Sequence, residues 1–168
     1  MDREALRAAQ APLRARYRAE PTSAVAPLGA RAAWTEPGIT CTVEGWAGPV
    51  RAGLHTATGG DGTDACSAEL LLQALLGCAG VTMRSVATVM GLDVRSASFT
   101  ATSAYDARGT LGVDRDVPVG IRDVQVTAVL DTDASDADLI RLATSTERYC
   151  VVGQSLNVPV RVVVERSG

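Results

Sequence analysis

One stretch of this chain is almost free of charged residues over the length of a long helix. From Glu69 to Met90, only the first residue and Arg84 carry charge. Ser67 is a suitable N-cap in front of this stretch, and Gly91 provides a helix stop behind it. A helix with so small a polar face must be covered by protein on most sides. The stretch is therefore predicted to be the core helix of a domain or a helix shared across a dimer interface.

The segments on both sides of this helix show the alternation that is typical of strands. Strands are predicted over residues 30–34, 39–44, 50–54, 94–105, 121–130 and 158–165. A second helix is predicted within residues 131–150, with Ser135 or Asp133 as its cap. Strands, helix, strands, helix and strand in this order predict the α+β class, with antiparallel sheet packed against two main helices.

The amino-terminal residues form a separate part of the pattern. Residues 3–18 predict a charged amphipathic helix, and Pro12 is expected to kink or break it, because proline inside a helix costs about 3 kcal/mol. Residues 20–29 contain Pro, Ser and Gly and predict a linker. We therefore expect a helical extension over residues 1–25 and one domain over residues 26–168, which is long enough to bury a core.

Charge and hydropathy exclude several classes of function. The net charge is −3, and the arginines are scattered without a basic block, so nucleic acid is not expected as a partner. The longest apolar run, residues 70–83, is shorter than the roughly 20 residues that span a bilayer, and no membrane partner is expected. The first residues lack the apolar region of a secretory signal. We expect a cytoplasmic protein whose four cysteines are free or catalytic rather than structural.

Two cysteines occupy positions that suggest thiol chemistry. Cys78 lies inside the apolar helix, and Cys150 closes the second helix. Cys78 is either an inert core residue or a shielded nucleophile, because burial raises the pKa of a thiol unless a nearby cation offsets it. A peroxidatic cysteine needs a thiolate, access for a small oxidant and a way to discharge its sulfenic acid. Cys150 could meet the last need if the two Cα atoms come within about 7 Å.

Other residues offer alternative chemistry. His55, the one histidine, could pair with Cys78 in a Cys–His hydrolase, or it could be an ordinary loop residue. Cys66, just before the helix, is an alternative reactive thiol or a bystander. The GGDG run at residues 59–62 lacks a Walker lysine and is interpreted as a flexible loop rather than a phosphate site. Cys41 lies in a predicted strand and is interpreted as a packing residue.

Neither a metal nor a cofactor is expected. With one histidine and no Cys-x-x-Cys pair, a zinc site would have to be assembled from scattered residues. The acidic residues Asp131, Asp133, Asp136 and Asp138 are spaced only superficially like a calcium loop, since no central glycine or bidentate glutamate follows. A solvated helix start explains them.

Three motifs in sequence order carry a family resemblance. The first is SAELLLQALLGCAGVTM, with a Glu-Leu-Leu-rich entry, small residues around Cys78, and Thr82. The second is the turn Asp106-Ala107-Arg108-Gly109, and the third runs from Tyr149 through Cys150 to the strand NVPV. Together they resemble the central helix, the Asp-x-Arg-Gly turn and the second cysteine motif of the OsmC/Ohr family of thiol-dependent hydroperoxide reductases, over roughly residues 30–165.

Three positions differ from the family pattern. Ala68 stands where hydroperoxide reductases of the family carry a glutamate, and Val151 stands where they carry a proline. The hairpin over residues 32–43 lacks the arginine that lowers the thiol pKa in those proteins. Arg31 and Arg51 flank it and are the candidates to substitute.

The resemblance implies a definite architecture and activity. It implies an intertwined homodimer, with antiparallel sheets wrapped around long central helices and active sites at the subunit interface. Cys78 would be the peroxidatic residue and Cys150 the resolving residue of a thiol-dependent peroxidase, an antioxidant oxidoreductase acting in oxidative stress. The substrate would be a small organic hydroperoxide, and the reductant a dithiol such as the lipoyl group of a partner protein.

Two other functions remain open from the residues. The same fold could serve as a non-catalytic module that binds a small apolar ligand in its cleft. Alternatively, Cys78 could act as a thiol sensor. Reduced thiols after exposure to peroxide would favour the binding module, and a Cys78–Cys150 disulfide would favour the enzyme.

Overall fold

A computed structural model describes residues 1–34 and 36–167 of the chain. The helices are α1 (Arg3–Ala19), α2 (Ser67–Met90), α3 (Ala107–Thr110), α4 (Asp136–Tyr149) and α5 (Val151–Gln154). The strands are β1 (Arg31–Ala33), β2 (Thr40–Gly45), β3 (Gly48–Gly53), β4 (Ala65–Cys66), β5 (Val94–Ala104), β6 (Arg122–Thr132) and β7 (Val160–Arg166). The α+β class and the six predicted strands are confirmed, whereas β4, α3 and α5 were not predicted.

The strands form two separate sheets. The first has the order β1-β2-β3-β4, and the second has the order β5-β6-β7. Strands β1, β2 and β3 pair antiparallel, as do β5 and β6. Two pairings differ from the predicted antiparallel arrangement, because β6 pairs parallel with β7 and β3 pairs parallel with β4. Parallel strands need a crossover, and α4 supplies it between β6 and β7.

Helix α2 is the centre of the hydrophobic core. Its buried residues recur every fourth position and are Leu75, Ala79, Met83 and Ala87. This spacing places them on one face of the helix. They pack in one cluster with the inward residues of β6 and with Leu142 of α4. Burial of this stripe positions α2 against both the second sheet and α4.

The opposite face of α2 is not covered within the protomer. Ala74, Gly77 and Val81 are exposed there, and Val81 keeps 74% of its surface accessible. The single chain therefore does not bury α2 on most sides, which the sequence predicts for a helix with so small a polar face. By length and composition alone α2 could cross a membrane, a test that core helices also pass. The apolar run of residues 70–83, from which the length was judged, is shorter than the helix itself.

Most helix boundaries follow local sequence signals, but Ser67 and Pro12 behave differently from the prediction. Gly91 ends α2 in the left-handed region with φ of +75°, as predicted, and Ser135 caps α4 by accepting the N–H of Asp138. Ser67 is the first helical residue rather than the cap, which is Cys66. Pro12 does not break α1, because the alanines and arginines around it are strong helix formers.

Candidate active site

Cys78 and Cys150 lie on different elements that meet in the core. Cys78 is half-buried on α2, between the buried residues Leu75 and Ala79. Cys150 is fully buried at the point where α4 ends and α5 begins. Packing of α2 against α4 and α5 brings the two thiols close enough for each to shift the pKa of the other. The sequence-predicted pair is therefore in contact.

The hydrogen bonds around Cys78 favour its thiolate. Burial raises the pKa of Cys78, but hydrogen bonds to the sulfur outweigh it, so the net pKa is lowered. The donors, in decreasing effect, are the Val152 N–H, the Cys150 thiol, the Thr82 hydroxyl and the Val151 N–H. These donors are neutral. Hydrogen bonds to the charged form of an acid stabilise that form and lower its pKa.

Cys150 has the opposite tendency. Burial raises the pKa of its thiol most, and the neighbouring Cys78 raises it further. The Gly153 N–H donates to Sγ of Cys150 over 3.3 Å and partly offsets these effects. The pKa values of the two thiols thus move in opposite directions, and Cys78 is the thiol of the pair that loses its proton more readily.

Two structural features of this site could not be predicted from the types of residue in the sequence. The amides of Val151 and Val152 reach Cys78 because Cys150 caps the short helix α5, and any residue carries such an N–H. Gly153 faces the thiol, since a Cβ there would lie 3.4 Å from Sγ of Cys150. In the sequence, only the position of Cys150 directly after a predicted helix indicated that backbone N–H groups could lie near this thiol.

A cavity of about 350 Å³ reaches the buried thiol from the side of β7. Cys150 lines it together with Leu75, Ala79 and Glu147. Residues 156–160 close its outer wall. The cavity therefore reaches the pair through Cys150, and Cys78 does not line it.

The turn at residues 106–109 is held by its own ion pair. Arg108 hydrogen-bonds to the carboxyl group of Asp106 and lowers the pKa of Asp106 to about 2. Gly109 permits the close return of the following loop, because a Cβ there would lie 2.7 Å from the Val117 carbonyl oxygen. Asp106 and the returning loop line a second cavity, of about 570 Å³, beside Leu71 at the start of α2.

The arginines considered as substitutes both belong to the first sheet. Arg51 forms ion pairs with Asp64 and with Glu36, the latter at 2.6 Å. These bonds raise its pKa further, so its charge is permanent. Arg31 is exposed on β1. Neither is among the groups that most affect the pKa of Cys78.

His55 and Cys66 belong to a different cleft. Its lining includes both residues, Glu69 and Tyr105, but not Cys78. The Nδ1 atom of His55 accepts the Ala57 N–H over 3.0 Å, and its ring meets Tyr105 edge to face at 5.6 Å. His55 and Cys78 therefore do not share this cleft within the protomer. Cys41 is half-buried on β2.

The acidic residues before and at the start of α4 form ion pairs with arginines. Arg95 pairs with Asp131 and Asp133, Arg166 with Asp136, and Arg141 with Asp138. Across residues 1–34 and 36–167 no group of three or more His, Cys, Asp or Glu side chains could hold a metal ion.

These features define a class: an α+β protein with a thiol pair between a long apolar core helix and the end of a second helix. Sequence comparison identifies the family within that class. The family profile described as OsmC-like protein matches residues 60–165, which is more than half of the chain. The protein belongs to the OsmC-like family. No protein of curated function matches its sequence.

Solved structures show the same fold at low sequence identity. The OsmC-like protein of Mycoplasma pneumoniae has a TM-score of 0.68 and 13% identity, covering 85% of this chain and 99% of its own. An organic hydroperoxide resistance protein of Elizabethkingia anophelis has a TM-score of 0.68 and 14% identity, with coverage of 85% and 98%. The organic hydroperoxide resistance protein OhrB of Bacillus subtilis has a TM-score of 0.59 and 14% identity, with coverage of 83% and 100%.

Proposed function

We propose that this protein is a thiol-dependent peroxidase that reduces organic hydroperoxides, with Cys78 as the peroxidatic residue and Cys150 as the resolving residue. The contact between the two thiols, with their pKa values moved in opposite directions, carries the proposal. Structural neighbours named organic hydroperoxide resistance proteins support it. A cytoplasmic location, where thiols are kept reduced, suits a dithiol cycle.

The reaction begins at the Cys78 thiolate. Its sulfur attacks the distal oxygen of the hydroperoxide, the O–O bond breaks, and the alkoxide takes up a proton and leaves as the alcohol. Cys78 is then a sulfenic acid. Apolar neighbours such as Leu75 and Ala79 favour an organic substrate over hydrogen peroxide, because apolar surface gains free energy when it leaves water.

Resolution follows on the same protomer. The Cys150 sulfur loses its proton and attacks the sulfur of the sulfenic acid, and water leaves as the disulfide forms. Because the two thiols already influence each other's pKa at close range, the step needs little movement of α2 against α4. An external dithiol, such as the lipoyl group of a partner protein, then returns both cysteines to thiols by exchange.

The working form in this proposal is a homodimer. The exposed face of α2 carries the small residues Ala74 and Gly77 with Val81, and these permit close approach of a second helix. Trp34, directly after β1, and Trp46, in the turn between β2 and β3, are also exposed. Exposed apolar surface of this extent is typical of an interface, and a second copy would cover the side of α2 next to Cys78.

The direct test is steady-state reduction of cumene hydroperoxide with a dithiol donor. We expect turnover by the wild type, loss of turnover in Cys78→Ser, and retained turnover in the matched control Cys41→Ser, whose thiol lies on β2. Equal rates for wild type and Cys78→Ser would exclude the assignment. A protein whose thiols stay reduced under excess hydroperoxide would instead be a binding module that uses the cavity beside Cys150.

A further inference from the structure

We propose that α1 is a docking helix that binds the surface of anionic phospholipid bilayers through one arc of arginines. This inference is independent of the peroxidase proposal. The observation behind it is the arrangement of charge on α1, which contains five arginines and one glutamate and has a formal charge of +4. The whole chain carries −3, so positive charge is concentrated in this one helix.

The arginines of α1 share one side of the helix. At about 100° per residue, Arg3, Arg7, Arg14 and Arg18 fall within an arc of about 60°, which extends about 22 Å along the axis. We call these four residues the arginine arc. The sequence shows them as scattered, and only the uninterrupted helix through Pro12 aligns them. Arg16 points to the opposite side.

No acidic side chain of the protein neutralises the arginine arc. All four residues are exposed, and within residues 1–34 and 36–167 none of them forms an ion pair. By contrast, Arg51, Arg95 and Arg108 are each held by two carboxylates. Arg14 donates to the neutral Gln10 side chain over 2.9 Å, and guanidinium groups in a row that meet no carboxylate are suited to a flat array of phosphates.

Apolar side chains beside the arginine arc favour a bilayer over a nucleic acid. Leu13 lies next to the arc and is exposed, whereas Leu6 and Tyr17 in the same stripe are half-buried and less available to a bilayer. The following segment exposes Val25 and Leu28, at 80% and 92% of their surface. Basic helices flanked by apolar residues bind the interface of anionic membranes. Nucleic acid phosphates would leave these apolar residues in water.

The proposal replaces the expectation of no membrane partner. That expectation rested on the absence of a spanning segment and of a basic block in the sequence. Surface docking needs neither, since each arginine near an anionic bilayer contributes separately to binding. The strength of binding falls with salt, because the attraction acts within a Debye length.

The test is co-sedimentation of the full-length protein with vesicles. We expect the wild type to bind vesicles of phosphatidylcholine with about 30% phosphatidylserine, and not vesicles of phosphatidylcholine alone. The double variant Arg14→Gln/Arg18→Gln should partition about 30-fold less, at about fivefold per arginine. The charge-matched control Arg16→Gln/Arg115→Gln removes two exposed arginines outside the arc and should bind as the wild type does.

Three results would overturn the proposal. They are equal binding to neutral and anionic vesicles, equal loss in the arc and control variants, and tighter binding to duplex DNA than to anionic vesicles. Circular dichroism establishes that both double variants fold. Turnover of soluble cumene hydroperoxide reports on the peroxidase proposal separately, because no arc residue belongs to the thiol site.

Discussion

The thiols of Cys150 and Cys78 lie close enough to shift each other's pKa, which couples the end of α4 to the middle of α2. The contact lowers the pKa of Cys78 and raises the pKa of Cys150. The same geometry therefore sets which thiol reacts first and places the second thiol where the sulfenic acid would form. Within the protomer, neutral groups lower the pKa of Cys78. The change in this pKa on removing a single side-chain donor should therefore be measurable.

Thr82 is the side-chain donor that can be removed with least change of shape. Thr82→Val deletes a hydroxyl bonded to Cys78, so the thiolate loses a partner and the pKa of Cys78 rises. A hydrogen bond to a charged group contributes about 1.5 kcal/mol or more, so alkylation of Cys78 by iodoacetamide at neutral pH should slow roughly tenfold. Thr88→Val is the control, since its hydroxyl bonds the Arg84 carbonyl on the same helix. Equal slowing in both variants would contradict the role of Thr82.

The pH dependence of alkylation follows from the same shift. Only the thiolate reacts, so the rate rises with pH through the pKa of Cys78. Because that pKa is lowered in the folded protein, the midpoint for Cys78 should lie at lower pH than in the protein unfolded by denaturant. Cys150→Ala removes one of the groups that lower this pKa and should move the folded midpoint upward. A midpoint that is the same folded and unfolded would contradict the shift.

The core around α4 permits a matched test of stability. Leu142 is fully buried, whereas Ile140 on the same helix keeps 67% of its surface exposed. Leu142→Ala should lower the free energy of unfolding by about 2–5 kcal/mol, because it leaves a cavity against α2. Ile140→Ala should change it by less than about 1 kcal/mol. Urea denaturation followed by circular dichroism measures both, and similar losses would contradict the packing described.

The proposed dimer can be tested at Val81. Val81→Asp places a charge on the exposed face of α2, and it should reduce the mass in solution from twice the chain mass of 17.4 kDa to that of one chain. Val113→Asp is the control, since Val113 is exposed to nearly the same degree, 72%, in the loop after α3. Sedimentation velocity gives the masses. A dimer that survives Val81→Asp would place the interface elsewhere.

Much of this architecture is visible in the sequence because it depends on local patterns. The uncharged run from Glu69 and the glycine at Gly91 predict α2, and Cys78 and Cys150 are recognisable from the motifs around them. The parallel pairing of β6 with β7 is not visible, since it depends on which edge of the sheet the chain reaches after α4. The amides that hold Cys78 are equally hidden, because they are backbone groups placed by α5. The alignment of the arginine arc appears only when α1 continues through Pro12.

The central claim is that Cys78 and Cys150 form a disulfide when the protein reduces a hydroperoxide. The measurement is mass spectrometry after one equivalent of cumene hydroperoxide, with digestion by trypsin and a glutamate-specific protease. This digestion separates Cys78 in residues 70–84 from Cys66 in residues 52–69, and Cys150 falls in residues 149–161. The account predicts a cross-link between residues 70–84 and 149–161 in the wild type and none in Cys150→Ser. Both thiols remaining reduced, or a cross-link through Cys66 or Cys41, would contradict it.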